Sequence, residues 1–313
     1  MVSLKSKIYV AGHNGLVGGA IVKKLKEKGY KKIITANRST LDLANQAKVF
    51  KFLKKKKPQF IFIAEAKVGG VYSNNKYKGQ FIYENIIIQS NLIHSAYLCG
   101  IKNLIFLGSS CAYPRLCKQP IKEQYLLNGH LEKTNDAYAI AKIAGIKMCE
   151  SYNDQYKTNY MTLMPTNTFG PNDNYDTLNS HFFPALIKKV HEIKINKKKQ
   201  LVLWGNGLAK REVIHVDDIA NACVYFMNKK IKEPLINIGN GKVYSIKHYA
   251  KLILNILIPK NKIKIVFDLS KPNGTPRKVL NISLAKKYGW KPKIKLKEEI
   301  LKTYYDYIKQ KNK

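Results

Sequence analysis

Residues 8–19 read IYVAGHNGLVGG, and this stretch decides the fold class. The apolar run up to Ala11 is typical of a buried strand, and the segment from Leu16 to Lys28 has helical periodicity and ends at Gly29. Between them stand Gly12, Gly15 and Gly18, and glycines permit a tight turn and close approach of the backbone to a pyrophosphate. A tight turn alone would also need glycines. Their position between a strand and a helix nevertheless favours a dinucleotide-binding turn.

The alternation of strands and helices continues through the first half of the chain. Strands are predicted at Lys32–Ala36, Phe60–Ala64 and Asn103–Leu107, and helices at Gln46–Lys54 and Phe81–Cys99. Strands separated by such helices imply a doubly wound, parallel α/β sheet. After residue 171, loops rich in Asn, Asp and Gly indicate a smaller C-terminal substrate lobe. We therefore predict a cofactor domain of residues 1–170 plus about 212–240, and a substrate lobe of 171–211 plus 241–313.

The composition limits the partners and the cellular location. The 313 residues carry a formal charge of +36, but the lysines are spread along the chain, with tight runs only at 54–57 and 197–199. This distribution predicts a solvated surface without a nucleic-acid groove. Five cysteines without paired spacing argue for a reducing compartment and against a disulfide framework or a metal site. With no apolar run of roughly 18 residues and no room for a signal peptide before Ile8, we expect a cytoplasmic protein without a membrane contact.

The end of the second predicted strand bears on the choice of dinucleotide. Asn37 and Arg38 stand there, and no acidic residue follows until Asp42. A carboxylate would bind the ribose hydroxyls of NAD, whereas an arginine binds a 2′-phosphate through charged hydrogen bonds. The pattern favours NADP(H), although Arg38 as an ordinary surface cation is the alternative.

A tyrosine and a lysine suited to proton transfer lie one helical turn apart. Tyr138 and Lys142 share a face of the helix predicted for this segment, and a neighbouring ammonium is expected to stabilise the phenolate. The strand ending at Leu107 continues into Gly108 and Ser109, which places a hydroxyl at the carboxyl edge of the sheet. Together these residues predict a reductase site beside the nicotinamide.

The sequence resembles the extended short-chain dehydrogenase/reductase family and, within it, the bifunctional epimerase–reductases of GDP-linked 4-keto sugars. The matching segments run from residue 11 to residue 278: AGHNGLVG, AKVGGVYSNN, FLGSSCAYP, KTNDAYAIAKIAGIKMCESYN, MPTNTFGPNDN, SHFFPAL, REVIHVDD and SKPNGTPRK. SSCAYP and SHFFPAL are specific to this branch, whereas the glycine motif and HVDD are shared more widely. The resemblance implies a Rossmann fold, NADP(H) as cofactor, a GDP-linked 4-keto sugar as substrate, and a homodimer paired through two long helices.

The resemblance also assigns residues. Catalysis would fall to Ser109, Tyr138 and Lys142 for reduction and to Cys111 and His181 for epimerisation. The cofactor would contact Gly12, His13, Asn14, Gly15, Leu16, Val17, Gly18, Arg38, Leu107, Gly108, Lys142, Pro165, Thr166, Asn167, Thr168 and His181. The substrate would contact Lys189, Trp204, Arg211 and Asn273.

Three residues depart from the family pattern. Asn14 stands where an arginine often helps to bind the 2′-phosphate, Glu65 stands where the residue is usually small and apolar, and Asn273 replaces an acidic residue. Both proposed epimerase residues have an alternative interpretation: Cys111 could be a buried residue at a strand end, and His181 could be a capping or core residue. At the level of the whole chain, the rivals are a nucleotide-sugar 4-epimerase or dehydratase, a reductase of a related GDP-4-keto sugar (a 6-deoxy-heptose or dideoxy sugar), and a nucleic-acid-binding protein on an inactive scaffold.

Overall fold

A six-stranded parallel sheet forms the centre of the chain, as the alternating pattern predicted. The computed structural model describes residues 2–176, 179–260, 262–271 and 274–311. The strands are β1 (Ile8–Ala11), β2 (Ile33–Ile34), β3 (Phe60–Ile63), β4 (Asn103–Leu107), β5 (Asn159–Pro165), β6 (Asn167–Phe169), β7 (Gln200–Trp204), β8 (Lys210–Arg211), β9 (Val213–His215), β10 (Leu235–Ile238), β11 (Tyr244–Ser245), β12 (Lys264–Asp268) and β13 (Arg277–Lys278). The large sheet has the order β10-β5-β4-β3-β1-β2, and every pair in it is parallel.

Helices cover both faces of this sheet because its strands are apolar on both sides. The helices are α1 (Leu16–Glu27), α2 (Gln46–Lys56), α3 (Val71–Lys76), α4 (Lys78–Leu98), α5 (Asp136–Tyr156), α6 (Phe182–Ile195), α7 (Val216–Met227), α8 (Ile246–Leu257), α9 (Ser283–Lys287) and α10 (Leu296–Lys311). Helices α1 and α7 pack together on one face, and α2, α4 and α5 pack on the other. Along β1, Val10 enters the first core and Tyr9 the second, because successive side chains point to opposite faces of a strand.

A third apolar core lies outside the large sheet. It is built from α6, α8, α10 and β7, with Phe183, Tyr249 and Ile300 fully or almost fully buried. Three small sheets accompany it: β11-β8-β13, β12-β7 and β6-β9. The predicted division into a cofactor domain and a substrate lobe stays a prediction. Within the described residues, no helix has the length and apolar content that a membrane crossing requires.

Two details differ from the sequence prediction. Strand β2 has only two paired residues instead of the five predicted, because it lies at the sheet edge and both are only half buried. The long fourth helix begins at Lys78, three residues earlier than predicted, and is preceded by the short helix α3, which the periodicity did not indicate.

The glycine turn fixes α1 against β1. Gly12 has a φ of +84°, a backbone conformation that favours glycine. A β-carbon at Gly18 would lie 2.0 Å from the carbonyl oxygen of Gly12, so the helix approaches the strand more closely than any side chain permits. Gly79, in the first turn of α4, provides a contrast because a β-carbon there would meet nothing within 4 Å.

These contacts predict opposite effects for the same substitution at two positions. We expect Gly18→Ala to lower the free energy of unfolding by about 1–3 kcal/mol, because the helix must move away from the strand. Gly79→Ala should raise it by about 0.5 kcal/mol, because alanine favours the helix. Urea unfolding of both variants measures the difference. Equal stability of the two variants would show that the close contact does not constrain the fold.

Candidate active site

The glycine turn leaves the amino end of α1 open. Gly15 is the N-cap of the helix and makes no side-chain capping bond, so the first backbone N–H groups are available to a phosphate. Gly15 and Asn14 are exposed, and the nearest neighbour of a β-carbon at Gly15 would be the carbonyl oxygen of Gly12 at 3.4 Å. An uncapped helix end beside open space fits the pyrophosphate of a dinucleotide.

The end of β2 supplies the next part of this cleft. The Asn14 Nδ2 group donates a hydrogen bond of 3.0 Å to Asn37 Oδ1, which links the glycine turn to the segment that carries Arg38. Arg38 is exposed. Asp42, the first acid after this strand, accepts a hydrogen bond from the Ala44 backbone in its own loop. Arg38 is thus an exposed cation just after β2, while the nearest acid accepts a hydrogen bond within its own loop.

Strand β4 and helix α5 bring Ser109, Tyr138 and Lys142 together. Ser109 follows the end of β4 and accepts a 3.3 Å hydrogen bond from the Cys111 backbone. Its hydroxyl also forms a hydrogen bond with Tyr138, which lowers the pKa of the phenol. One turn further along α5, Lys142 is 3% exposed, and its Nζ donates to the carbonyl oxygen of Leu107 at 2.8 Å.

The net effect on the Tyr138 phenol is opposite to the expectation from the sequence. Burial raises the pKa of Tyr138, Cys111 raises it further, and only Ser109 lowers it. Lys142 is not among the groups that shift this pKa: its ammonium donates a hydrogen bond to Leu107 and lies 4.7 Å from the ring centre of Phe106 and 5.8 Å from that of Tyr138. The phenol is therefore held protonated, as a proton donor must be.

Cys111 and His181 approach the same place from different parts of the chain. Cys111 lies in the short 3₁₀ helix Ser110–Ala112, and His181 is the N-cap of α6. Lys278 interacts with both: its Nζ is 3.9 Å from Cys111 Sγ, and its charge contributes to the lowered pKa of His181. The His181 side chain is accessible within a cleft, yet the surrounding protein, and to a smaller extent Lys278, lowers the pKa of its imidazole. The imidazole is thus neutral near pH 7 and able to accept a proton.

The sequence does not predict Lys278 as a site residue, although Lys278 ends the SKPNGTPRK segment. It lies 167 positions from Cys111, and no spacing rule joins the two residues. The signal is topological: β13 pairs with β8 in parallel, and this register sets Lys278 beside Arg211. Arg211 also acts electrostatically on Cys111, so two cations flank the thiol.

The predicted substrate residues fall into two groups. Arg211 belongs to the cysteine cluster and donates hydrogen bonds to the carbonyl oxygens of Thr275 at 2.5 Å and Lys210 at 2.9 Å. Lys189 and Trp204 form a separate pair in the third core region, with Lys189 Nζ 5.8 Å from the centre of the Trp204 ring and 3.1 Å from the Val202 carbonyl oxygen. The predicted contact Asn273 lies outside the described residues.

The remaining predicted cofactor residues line the carboxyl edge of the sheet. Pro165 ends β5, and β6 begins two residues later. The Thr166 hydroxyl and the Asn167 amide both donate to the carbonyl oxygen of Glu212, at 3.3 and 2.9 Å. These contacts hold the edge of the large sheet against the segment that carries Arg211.

The chain is similar to known proteins over most of its length. The family described as "NAD dependent epimerase/dehydratase family" matches residues 8–239. The chain is 47% identical to the putative GDP-L-fucose synthase 2 of Arabidopsis thaliana, with 98% of this chain and 93% of that protein covered. It is 41% identical to the GDP-L-fucose synthase of Escherichia coli (strain K12), with 99% of this chain and 98% of that protein covered. The solved structure of a GDP-mannoheptose C4 reductase from Campylobacter jejuni with NADP bound is 38% identical and superposes with a TM-score of 0.87, over 99% and 100% of the two chains.

Proposed function

The chain belongs to the NAD dependent epimerase/dehydratase family, and on that premise we propose that it converts GDP-4-keto-6-deoxy-D-mannose to GDP-L-fucose. The enzyme inverts the sugar at C-3 and C-5 and then reduces the ketone at C-4 with NADPH. One observation supports this proposal: Cys111 Sγ lies 3.9 Å from Lys278 Nζ, Cys111 raises the pKa of Tyr138, and Lys278 contributes to the lowered pKa of His181. These contacts support a single site in which the residues proposed for epimerisation adjoin those proposed for reduction.

The epimerisation uses the acidity that the C-4 ketone gives to the hydrogens at C-3 and C-5. A base removes one of these protons, an enediolate forms, and an acid returns a proton to the opposite face of the carbon. His181 and Cys111 are the pair for these transfers because the neutral imidazole accepts a proton and the thiol exchanges one. Lys278 places positive charge beside the sulfur whenever the thiol has lost its proton.

The reduction needs a proton at the C-4 oxygen as well as a hydride at carbon. When bound, NADPH supplies the hydride. Tyr138 gives its phenolic proton to the oxygen, Ser109 orients the phenol through a hydrogen bond, and the Lys142 side chain lies beside the phenol ring, with its Nζ 5.8 Å from the ring centre. The buried, protonated phenol in the structure suits this order of events.

A C-4 reductase of a related GDP-4-keto sugar, such as a 6-deoxy-heptose or dideoxy sugar, is the second candidate. The 38% identity to the heptose reductase favours it. Two facts favour the bifunctional reaction instead. The chain has both Cys111 and His181, and it is 41–47% identical to the two GDP-L-fucose synthases.

We propose further that the protein works as a homodimer without nucleic acid or membrane partners. Apolar side chains stand exposed on α4 and α5, including Tyr83 at 66%, Leu98 at 53% and Ile140 at 46% exposure. Pairing of these helices in two copies would bury them. The diffuse distribution of lysines remains the reason to exclude nucleic acid as a ligand, and the cytoplasmic location stays a prediction.

The two reactions should separate by mutation. Tyr138→Phe removes the proton donor for the C-4 oxygen and should slow reduction by about 10²–10⁴-fold, while exchange of the C-3 and C-5 hydrogens with D₂O continues. Cys111→Ser replaces the thiol with a much weaker acid, so exchange should fall while the hydride-transfer residues stay intact. Deuterium incorporation by NMR and NADPH consumption are measured on the same samples.

Cys117→Ser is the matched control because Cys117 lies in the same loop, where burial raises the pKa of its thiol. It should exchange and reduce like the wild type. If Cys111→Ser behaves in the same way, Cys111 only fills space and the enzyme is a plain reductase.

The preference for NADPH depends on Arg38. We expect Arg38→Ala to raise the KM for NADPH roughly 10–100-fold, because a charged hydrogen bond to the 2′-phosphate is lost, and to leave the KM for NADH unchanged. Lys32→Ala, which removes an exposed cation just before β2, should change neither value. Steady-state kinetics with both cofactors provides the test. A wild type that prefers NADH, or an equal loss for both cofactors in Arg38→Ala, would refute NADP specificity.

A further inference from the structure

Glu212 is a fully buried acid that binds two neighbouring segments of the backbone. It stands between β8 and β9, next to Arg211, and is 0% exposed. Its carboxylate accepts two backbone hydrogen bonds, Oε2 from Leu280 N at 2.8 Å and Oε1 from Gly241 N at 2.6 Å. A β-carbon at Gly239 would lie 2.4 Å from Oε1, so the glycine leaves room for the carboxylate. Each oxygen of this acid is therefore bonded to a different segment.

Glu212 also fixes the backbone of Lys278. Strand β13 pairs with β8 over only two residues, and Lys278 is the second of them. The Glu212 N–H group donates to the Lys278 carbonyl oxygen at 3.2 Å, and the Glu212 carboxylate binds Leu280 N two residues later. On the other edge of this stretch, Ile121 N donates to Val279 O at 2.8 Å. The stretch that carries Lys278 therefore lies between Glu212 and the loop that follows Cys111.

A carboxylate suits this place better than any uncharged side chain of the same shape. It has two acceptor oxygens, one for each backbone N–H group. A carboxamide has one acceptor oxygen and would turn its NH₂ group towards the other N–H, so one buried donor would lose its partner. Glu212→Gln therefore disturbs the contact with Leu280 or the contact with Gly241, although it changes the size of the side chain very little.

We infer that Glu212 is a positioning residue for epimerisation, which holds Lys278 where its ammonium meets the Cys111 thiol. Each link is a direct contact: Glu212 binds the Lys278 carbonyl oxygen, and Lys278 Nζ lies 3.9 Å from Cys111 Sγ. Reduction should not depend on Glu212, because Ser109 follows β4 and Tyr138 stands on α5. This inference rests on the proposed epimerase function of Cys111.

The test is a double-mutant cycle on the exchange of the C-3 and C-5 hydrogens of GDP-4-keto-6-deoxy-D-mannose with D₂O, without NADPH. The variants are Glu212→Gln, Lys278→Met and the two combined. Glu212→Gln alone should slow exchange roughly 10–100-fold, the usual cost of misplacing a group by about 1 Å. In the Lys278→Met background it should slow exchange by less than about 3-fold, because the group that it positions is already absent.

Two further measurements separate positioning from a general loss of structure. The KM for the sugar in exchange should stay within about 3-fold of the wild type in Glu212→Gln. Arg211 keeps its bond to Thr275 there, because Lys210 N holds that side of the loop through Pro276 O at 2.8 Å. The first turnover of reduction, started with NADPH after exchange is complete, should also proceed at the wild-type rate.

Asp218→Asn is the matched control. Asp218 is also a buried carboxylate that accepts two backbone hydrogen bonds, from Lys293 N at 2.9 Å and Ile294 N at 3.1 Å, but it binds a segment without proposed site residues. This variant should lose stability in urea as Glu212→Gln does and still exchange at the wild-type rate. If Glu212→Gln does not fold, Glu212→Asp takes its place in the cycle, because it keeps the charge and shortens the reach by one methylene.

The inference is overturned if Glu212→Gln slows exchange equally in the wild type and in Lys278→Met. Wild-type exchange in Lys278→Met, or a loss in Asp218→Asn as large as that in Glu212→Gln, also overturns it. A wild type that reduces the keto sugar without exchanging any hydrogen overturns the proposed epimerisation instead.

Discussion

The close contact between Gly18 and the carbonyl oxygen of Gly12 is the constraint on which the rest of the molecule depends. It holds α1 against β1 with its open amino end at the carboxyl edge of the sheet. Because all pairs in the large sheet are parallel, β3, β4 and β5 end at that same edge and present Glu65, Ser109 and Thr166 there. The cofactor cleft thus follows from the packing of one helix on one strand and from the direction of its neighbours.

A second, smaller constraint brings cations to the residues proposed for epimerisation. Strand β8 pairs with β13, and two residues on each strand suffice to set Arg211 and Lys278 side by side above the Cys111 loop. Glu212, fully buried next to Arg211, accepts hydrogen bonds from the backbone of Gly241 and Leu280 and so fixes both flanking segments. The large sheet positions the residues proposed for reduction, and these short connections position the cations near the Cys111 thiol.

Periodicity and local spacing were sufficient for the parts of the site that adjoin regular elements. The parallel sheet, the glycine turn, the serine after β4 and the pair Tyr138 and Lys142 could all be predicted, because each depends on residues within one strand or one helical turn. Lys278 could not, since its place beside Cys111 arises from pairing between strands far apart in sequence. The raised pKa of Tyr138 was also beyond local reasoning, because it depends on burial and on Cys111, which lies on a different element from Tyr138.

The central claim is that one cleft performs both inversion and reduction, and the product formed in D₂O tests it most directly. Wild-type protein is given GDP-4-keto-6-deoxy-D-mannose and NADPH, and the product is identified by NMR. The account predicts GDP-L-fucose that carries deuterium at C-3 and C-5 and the cofactor's hydrogen at C-4. A product that keeps the original configuration and hydrogens at C-3 and C-5, or turnover confined to a GDP-4-keto-heptose, would contradict it and identify the chain as a C-4 reductase alone.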